Sequence, residues 1–476
     1  MTAKVLVVGG GPAGSTAAAL LAREGLDVHL LERAHFPRYH IGESISPSCR
    51  AVMEFSGVHD KVAARGYPVK RGVLLRWGAE SDWAVDWQRM FGEDIRSWQV
   101  DRADFDQVLL DHAAESGATV VQGANVRSVR FEGDRAVAAE WTRDDDPRRR
   151  LTTEFDFLVD ASGRAGVLST RHLHNRRPHD IFRNVAIWSY YRGGSLLPGT
   201  PEGGIDVISS PEGWYWVIPM KDGEFSVGFV THQDRFLERR PQYGSLEEMF
   251  AAVVDESPSV RGLVAGEERY GPVRVEQDFS YAADSFCGPG WFLAGDAGCF
   301  LDPLLSTGVH LAMFSGMLSA AAINATVTGA VAEQEARDFY EALYRNAYAR
   351  LLALVSGMYQ KYQGQQSYFW LAQRLLGSGV PKYRPDNAFG AIVAGLSDLD
   401  DAAVRGGLAP TAGLIEAAEL ARDRAATGTA GSAATTAPMR MDPNDLYDAA
   451  SGLHLVTSPS LSIQRATLAA EPGTAR

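Results

Sequence analysis

An α/β architecture is predicted for this 476-residue chain: a parallel, helix-flanked sheet unit, a second, antiparallel sheet and a helical C-terminal region. Three observations carry the prediction. Residues 4–33, KVLVVGGGPAGSTAAALLAREGLDVHLLER, read strand, turn, helix, strand, the opening of a parallel sheet. Residues 183–275 hold the short runs NVAIWSYY, GIDVISS, GWYWVIPM and EFSVGFVTH, bounded by Gly, Pro, Asp and Glu, which is the pattern of antiparallel strands. The chain then returns at 290–316, GWFLAGDAGCFLDPLLSTGVHLAMFSG, to a strand, a glycine-rich loop and a helix start. The first unit is therefore expected to be discontinuous.

The opening stretch has a physical logic at each position. Val5 to Val8 is an apolar run fit for a buried strand, and Gly9, Gly11 and Gly14 follow in G-x-G-x-x-G register. Gly9 permits a tight turn, Gly11 lets a pyrophosphate approach the backbone, and Gly14 lets the helix press on the strand. The helix N-terminus then presents free N–H groups to negative charge. Glu32 lies 18 residues past Gly14, where a carboxylate can accept both ribose hydroxyls. Strand, helix and acid together favour dinucleotide binding over a chance glycine turn, but do not say which dinucleotide.

Further along, FPRYHIGESISPS at 36–48 is a loop rich in turn formers, and residues 72–98 alternate like strands under a load of tryptophan: Trp77, Trp83, Trp87 and Trp98. That region reads as sheet facing a pocket or another layer. From Asp101 a helix is expected, with Phe105, Val108, Leu109, His112 and Ala113 on one face. A strand at Thr119 to Gln122 could extend the parallel sheet. DDDPRRR at 144–150 reads as a solvated hairpin tip, and FDFLVDASGR at 155–164 as a buried strand ending on a glycine turn.

Beyond residue 336 the pattern is helical, and Phe339, Tyr340, Leu343, Tyr344, Tyr348, Tyr359, Tyr362, Tyr368, Phe369 and Trp370 form a stripe read mostly as core. AATGTAGSAATTAP at 425–438 is low-complexity and reads as a flexible linker, and the segment after it has no clear period. The expected division is 1–71, 99–182 and 276–335 for the discontinuous unit, 72–98 and 183–275 for the β-sheet unit, and 336–476 for the helical region.

Composition bounds the function. Forty-six basic against 59 acidic residues give a net charge of −13, which argues against nucleic acid as the main partner. Cys49, Cys287 and Cys299 lie far apart, without disulfide or metal spacing, which fits a reducing compartment. A first strand beginning at Lys4 leaves no room for a signal peptide. Residues 311–332 are apolar but interrupted by Ser, Asn and Thr, so a buried helix is expected rather than a membrane span. A cytoplasmic protein is the expectation. His172 and His174 form a pair without a third ligand, and no metal site is expected.

Read together, the fingerprint with Glu32, Arg102 ahead of an amphipathic helix, DASG at 160–163 and Gly295-Asp296 resemble the FAD-binding domain of the aromatic hydroxylase superfamily. The resemblance covers roughly residues 1–330 and implies a Rossmann-like FAD domain, with Asp296 on the ribityl chain and Arg102 near the pyrophosphate. It departs at 160–163, where that family's usual form is Asp-Gly and this chain has Asp160-Ala161-Ser162-Gly163. Within the superfamily, Trp214-Tyr215-Trp216-Val217-Ile218-Pro219 matches the W-x-W-x-I-P signature of flavin-dependent halogenases. On composition alone it is an aromatic strand whose alternate residues pack one face. Lys70 stands where that family places its essential lysine, and Ser306-Thr307-Gly308 matches its halide loop.

That resemblance implies a chemistry. FAD, reduced by a separate flavin reductase, meets dioxygen to give a C4a-hydroperoxide; chloride held by Thr307 and Gly308 takes the distal oxygen. The hypochlorous acid formed reaches Lys70, while Trp214, Trp216, Ile218 and Pro219 keep the substrate from the flavin. On spacing alone Lys70 reads as a surface lysine beside Arg71. Arg33, beside Glu32, and the loop Gly42-Glu43-Ser44 join the cofactor set. Tryptophan halogenases carry a glutamate two residues before the loop threonine, where this chain has Leu305. This resembles the branch acting on phenolic or pyrrolic units, often tethered to a carrier protein. The reading is thus a halogenase of natural-product biosynthesis. Its alternatives are a flavin hydroxylase or geranylgeranyl-reductase-like enzyme, and a non-catalytic redox flavoprotein.

Overall fold

A computed structural model describes residues 2–78, 82–360, 393–394, 446–448 and 450–465. Its organising layer is a six-stranded sheet in the order Cys287–Gly288, Trp291–Leu293, Phe157–Asp160, Lys4–Val8, Asp27–Leu31, Thr119–Val121. All neighbours are parallel except the first pair. The opening strand sits inside this sheet, with Val5 to Val8 buried, because a strand covered on both faces must be apolar throughout. Helix Pro12–Arg23 packs between it and helix Gly308–Val327, and a Cβ on Gly316 would crowd the carbonyl of Ala13.

The second sheet has eight strands, in the order Cys299–Phe300, Arg269–Ala283, Arg176–Tyr191, Phe225–His232, Gly213–Pro219, Ile205–Ser210, Gly72–Arg76, Trp83–Asp86. Its members extend past the expected boundaries, since the strands Arg176–Tyr191 and Arg269–Ala283 run across residues 182 and 275. Two long strands paired over this length bridge the units instead of stopping at either edge. Alternation in the tryptophan strand is strict: Tyr215 turns away and packs, tilted, against Phe229 at 4.7 Å, while Trp214 and Trp216 share the opposite face.

Two parts were not foreseen. Residues 124–154 form a three-stranded antiparallel meander, Ala124–Glu132, Arg135–Arg143 and Leu151–Glu154, of which the sequence announced only the charged tip. The C-terminal region is not helical throughout. After helix Glu333–Gln360, three short strands, Tyr447–Asp448, Leu453–Val456 and Ser462–Arg465, make a meander. It docks through Leu461, whose carbonyl accepts from Asn324 at 2.6 Å and whose N–H donates to Glu24 at 2.8 Å. Strands of two to four residues are too short to show a period. Tyr362, Tyr368, Phe369, Trp370 and the linker at 425–438 lie outside the described residues. Gly308–Val327 is the one described helix apolar and long enough to span a membrane, and 94% of its apolar window is buried within the fold.

Candidate active site

A cavity of about 570 Å³ is lined by Gly9, Gly11, Glu32, Arg33, the loop Gly42 to Ser44, Arg102, Asp296, Trp214, Trp216, Ile218, Thr307 and Gly308, among others. The fold thus brings segments of both sheets and the 306–308 loop to one space. Pro219 and Lys70 do not line it.

The first strand delivers its turn into this space. Gly9 has φ +104° and lies so close to Ala161 that a side chain would strike that residue's carbonyl, and a Cβ on Gly14 would strike the carbonyl of Gly9. Glu32 accepts the N–H of Gly10 at 2.6 Å and of Ala34 at 2.8 Å, so its carboxylate is fixed at the cavity wall. Asp160 ends its strand by accepting from Ser162 at 3.0 Å and Leu168 at 2.7 Å, which shapes the DASG turn. Asp296 faces the cavity among Arg164, Arg102 and Arg176; burial pushes its carboxyl up and the arginines oppose that.

Arg102 is more constrained than the sequence suggested. Its guanidinium grips Asp106 at 2.9 and 3.1 Å and donates to the Ile41 carbonyl at 2.8 Å, so it pins the Gly42–Ser44 loop. Arg38 is a residue the sequence reading passed over. A Cβ on Gly11 would stand 3.4 Å from its guanidinium, which places a cation beside the fingerprint. Its only sequence signal was a basic residue in a turn-rich loop one step after the acid-ended strand.

Glu43 is buried and accepts from Tyr190 at 2.7 Å; burial raises its carboxyl above the usual range. Next to it Ser44 Oγ is buried, lines the cavity and has no hydrogen-bond partner among the described residues. An orphaned buried hydroxyl is costly unless a ligand satisfies it.

The other segments converge through the 302–310 stretch. Asp302 caps the turn Pro303–Leu305 by accepting the Leu304 N–H at 2.9 Å. Ser306 then takes the left-handed φ of +56°, and Thr307 leads into helix Gly308–Val327 without a side-chain cap. Backbone N–H groups at such a terminus stay open to an anion. Burial pushes the Asp302 carboxyl up to about 6, against donors from Leu304, Asn184 and Tyr359. Trp214 and Trp216 stand at 6.1 Å from each other, and Trp188 at 6.3 Å from Trp216.

Lys70 lies behind the cavity. Its strand Val69–Lys70 pairs with Ser97–Trp98, and the side chain is 2% exposed. Nζ donates to the Ile45 carbonyl at 3.4 Å and stands 5.0 Å from the Trp87 ring centre. Burial lowers its pKa from 10.5 to about 7, with Cys49 opposing slightly. The surface reading of this lysine is thereby excluded. The residue after Ile45, Ser46, donates to the Ser306 carbonyl at 3.3 Å, so residues 45–46 join the lysine to the 306–308 loop.

Three comparisons bear on this arrangement. The family described as tryptophan halogenase matches residues 4–97 and 95–378. A tryptophan 2-halogenase of Chondromyces crocatus is 41% identical over 405 residues, 84% of this chain and 77% of its own. The chain belongs to the flavin-dependent halogenases. A sulochrin halogenase of Aspergillus terreus is 36% identical over 389 residues, 76% of this chain and 70% of its own. The solved myxobacterial chondrochloren halogenase, an FAD-dependent enzyme, superposes with a TM-score of 0.71 at 33% identity, over 89% of this chain and 97% of that one.

The cofactor of this halogenase is therefore FAD, and the residues present fit it. Gly11 and the uncapped start of helix Pro12–Arg23 offer N–H groups to a pyrophosphate, Glu32 offers a carboxylate to a ribose, and Ser44 offers a hydroxyl that no described residue satisfies. His172 has a packing role, stacked on Phe131 at 4.1 Å.

Proposed function

We propose that this halogenase chlorinates an electron-rich aromatic substrate, phenolic or pyrrolic, and that Lys70 delivers the chlorine. The observation that carries the reading is the junction at residues 45–46, which ties a buried, readily neutralised lysine to a helix N-terminus fit for an anion. FAD, reduced by a separate reductase and met by dioxygen, supplies the oxidising equivalent.

The protein's own groups do the rest. Thr307 and Gly308 hold chloride by backbone N–H groups, Thr307 buried and Gly308 open to the cavity. Trp214, Trp216 and Ile218 form a wall that keeps the arene from the flavin and so from hydroxylation. Hypochlorous acid leaving the halide site reaches Lys70, whose amine is half neutral near pH 7 and can take the chlorine or direct it by a hydrogen bond. Glu32, Arg33, Arg38, Asp296 and the Gly42–Ser44 loop bind and orient the cofactor. Gly14 and Arg102 act one step back, by close packing and by pinning that loop.

Leu305 supports the substrate class. It is buried at the position where tryptophan halogenases have a glutamate, so no carboxylate is available there to stabilise a cationic arene. A phenol or pyrrole stabilises that cation itself. Incubating the protein with a flavin reductase, FAD, NADH, chloride and oxygen tests this, with free and carrier-tethered phenols and pyrroles, and tryptophan, offered together. Mass spectrometry is expected to show chlorinated phenol or pyrrole; chlorination of tryptophan alone would overturn the substrate class. Hydroxylated product that survives Lys70→Ala would return the reading to a hydroxylase.

A further inference from the structure

Near its end, helix Glu333–Gln360 meets the tryptophan wall and the 302–308 loop through Tyr359. Its hydroxyl accepts from Trp214 Nε1 at 2.6 Å and from Asn184 Nδ2 at 3.2 Å, and donates to Asp302 at 3.1 Å. Asn184 also donates directly to Asp302 at 2.9 Å. A phenol has one proton to give and two lone pairs, so these three partners use the whole capacity of the Tyr359 hydroxyl. The helix end is further held by Trp77, which stands edge-on to Tyr359 at 6.5 Å and donates to the Met358 carbonyl at 3.3 Å.

Each partner belongs to a different part of the site. Trp214 is the wall, Asp302 opens the 302–308 loop, and Asn184 comes from the longest strand of the second sheet. We infer that Tyr359 is a positioning residue for the halide loop, acting through Asp302. The argument rests on the halide reading of Thr307 and Gly308. Asp302 is an anion-capable group separated by five residues of loop from Gly308, where the open N–H groups of the helix begin. Held by Leu304, Asn184 and Tyr359, its carboxylate caps the turn Pro303–Leu305 and stays off those N–H groups. Released, it becomes their intramolecular competitor with chloride, and the indole N–H of Trp214 loses its acceptor at the same time.

The test is equilibrium halide binding, read from the change that chloride and bromide produce in the visible spectrum of the oxidised FAD complex. For Tyr359→Phe, which keeps the ring, halide Kd is expected to rise about tenfold, the scale of one lost hydrogen bond to a charged group. FAD affinity, measured separately, is expected to stay within about twofold. Asn184→Ala, which leaves the helix and its aromatic packing untouched, is expected to move halide Kd the same way by a smaller factor. In turnover, the KM for chloride is expected to rise with kcat at saturating chloride retained. Halide binding by wild type with unchanged Kd in both variants would overturn this inference alone. A wild-type complex that binds no halide would overturn the halide reading together with it.

Discussion

The two ends of the cavity are built on opposite principles. The fingerprint end is one contiguous stretch, residues 4–33, in which backbone sterics decide everything: Gly9 and Gly14 are needed because any side chain would strike a carbonyl. The chemical end is assembled from residues 44–46, 69–70, 214–218 and 302–308, which meet only through sheet pairing and a few side-chain bonds. The first end is rigid and generic, and would serve any enzyme that binds this cofactor. The second is where a halogenase differs from a hydroxylase. Substitutions should therefore separate into those that empty the cofactor site and those that leave it full but stop the chemistry.

Lys70→Met is the sharpest case of the second kind. Chlorination is expected to fall about a thousandfold or more, as when a group that acts on the reacting atoms is removed, while FAD binding is unchanged. The protein is expected to become more stable, because an apolar chain of similar length replaces a desolvated amine. A variant that lost FAD along with activity would erase the distinction between the two ends. Gly14→Ala is the counterpart. Its Cβ meets backbone, which cannot move aside cheaply, so a loss of about 3 kcal/mol and failure to retain FAD are expected. Thermal unfolding and flavin content of the purified protein measure both.

Lys70 also predicts a pH dependence. Its pKa falls from 10.5 to about 7 on folding, so between these values the unfolded chain binds a proton that the folded one does not. Stability should then rise with pH across that window, by up to about 1.4 kcal/mol per unit from this group. The cost of burial is fully present below pH 7. Lys70→Met should remove that slope. If the neutral amine takes the chlorine, the chlorination rate should climb about tenfold per pH unit below 7 and level off above it. A rate that is level below pH 7 and falls about tenfold per unit above it would mean that the ammonium serves as a hydrogen-bond donor instead.

What could be read in the sequence follows the same division. The fingerprint was legible because its period, its glycines and its acid are local signals. Trp214 to Pro219 was legible as a strand, though Pro219 turns out to lie off the cavity. Lys70 was legible only through the family resemblance; its burial was not, since beside Arg71 it reads as surface, and the pairing with Ser97–Trp98 and the cover of Ile45, Cys49 and Trp87 bury it. Tyr359 sat unnoticed in an aromatic stripe because a core tyrosine and a site tyrosine have the same spacing. The meanders at 124–154 and 447–465 escaped because their strands gain their faces from packing partners distant in sequence.

Ser44 lies at the seam between the two ends, and its replacement gives the smallest but most discriminating signal. In Ser44→Ala the protein loses no internal hydrogen bond, since the hydroxyl has no partner among the described residues. The apoprotein should therefore unfold within about 0.5 kcal/mol of wild type, or be slightly more stable, because an orphaned polar atom has been removed. The FAD complex should lose the bond that satisfied this hydroxyl, weakening FAD binding about three- to tenfold. Differential scanning fluorimetry of the apoprotein and a fluorescence titration with FAD give the two numbers. A destabilised apoprotein with unchanged FAD affinity would show that Ser44 belongs to the packing of its loop, and the cofactor end would then stop at Glu43.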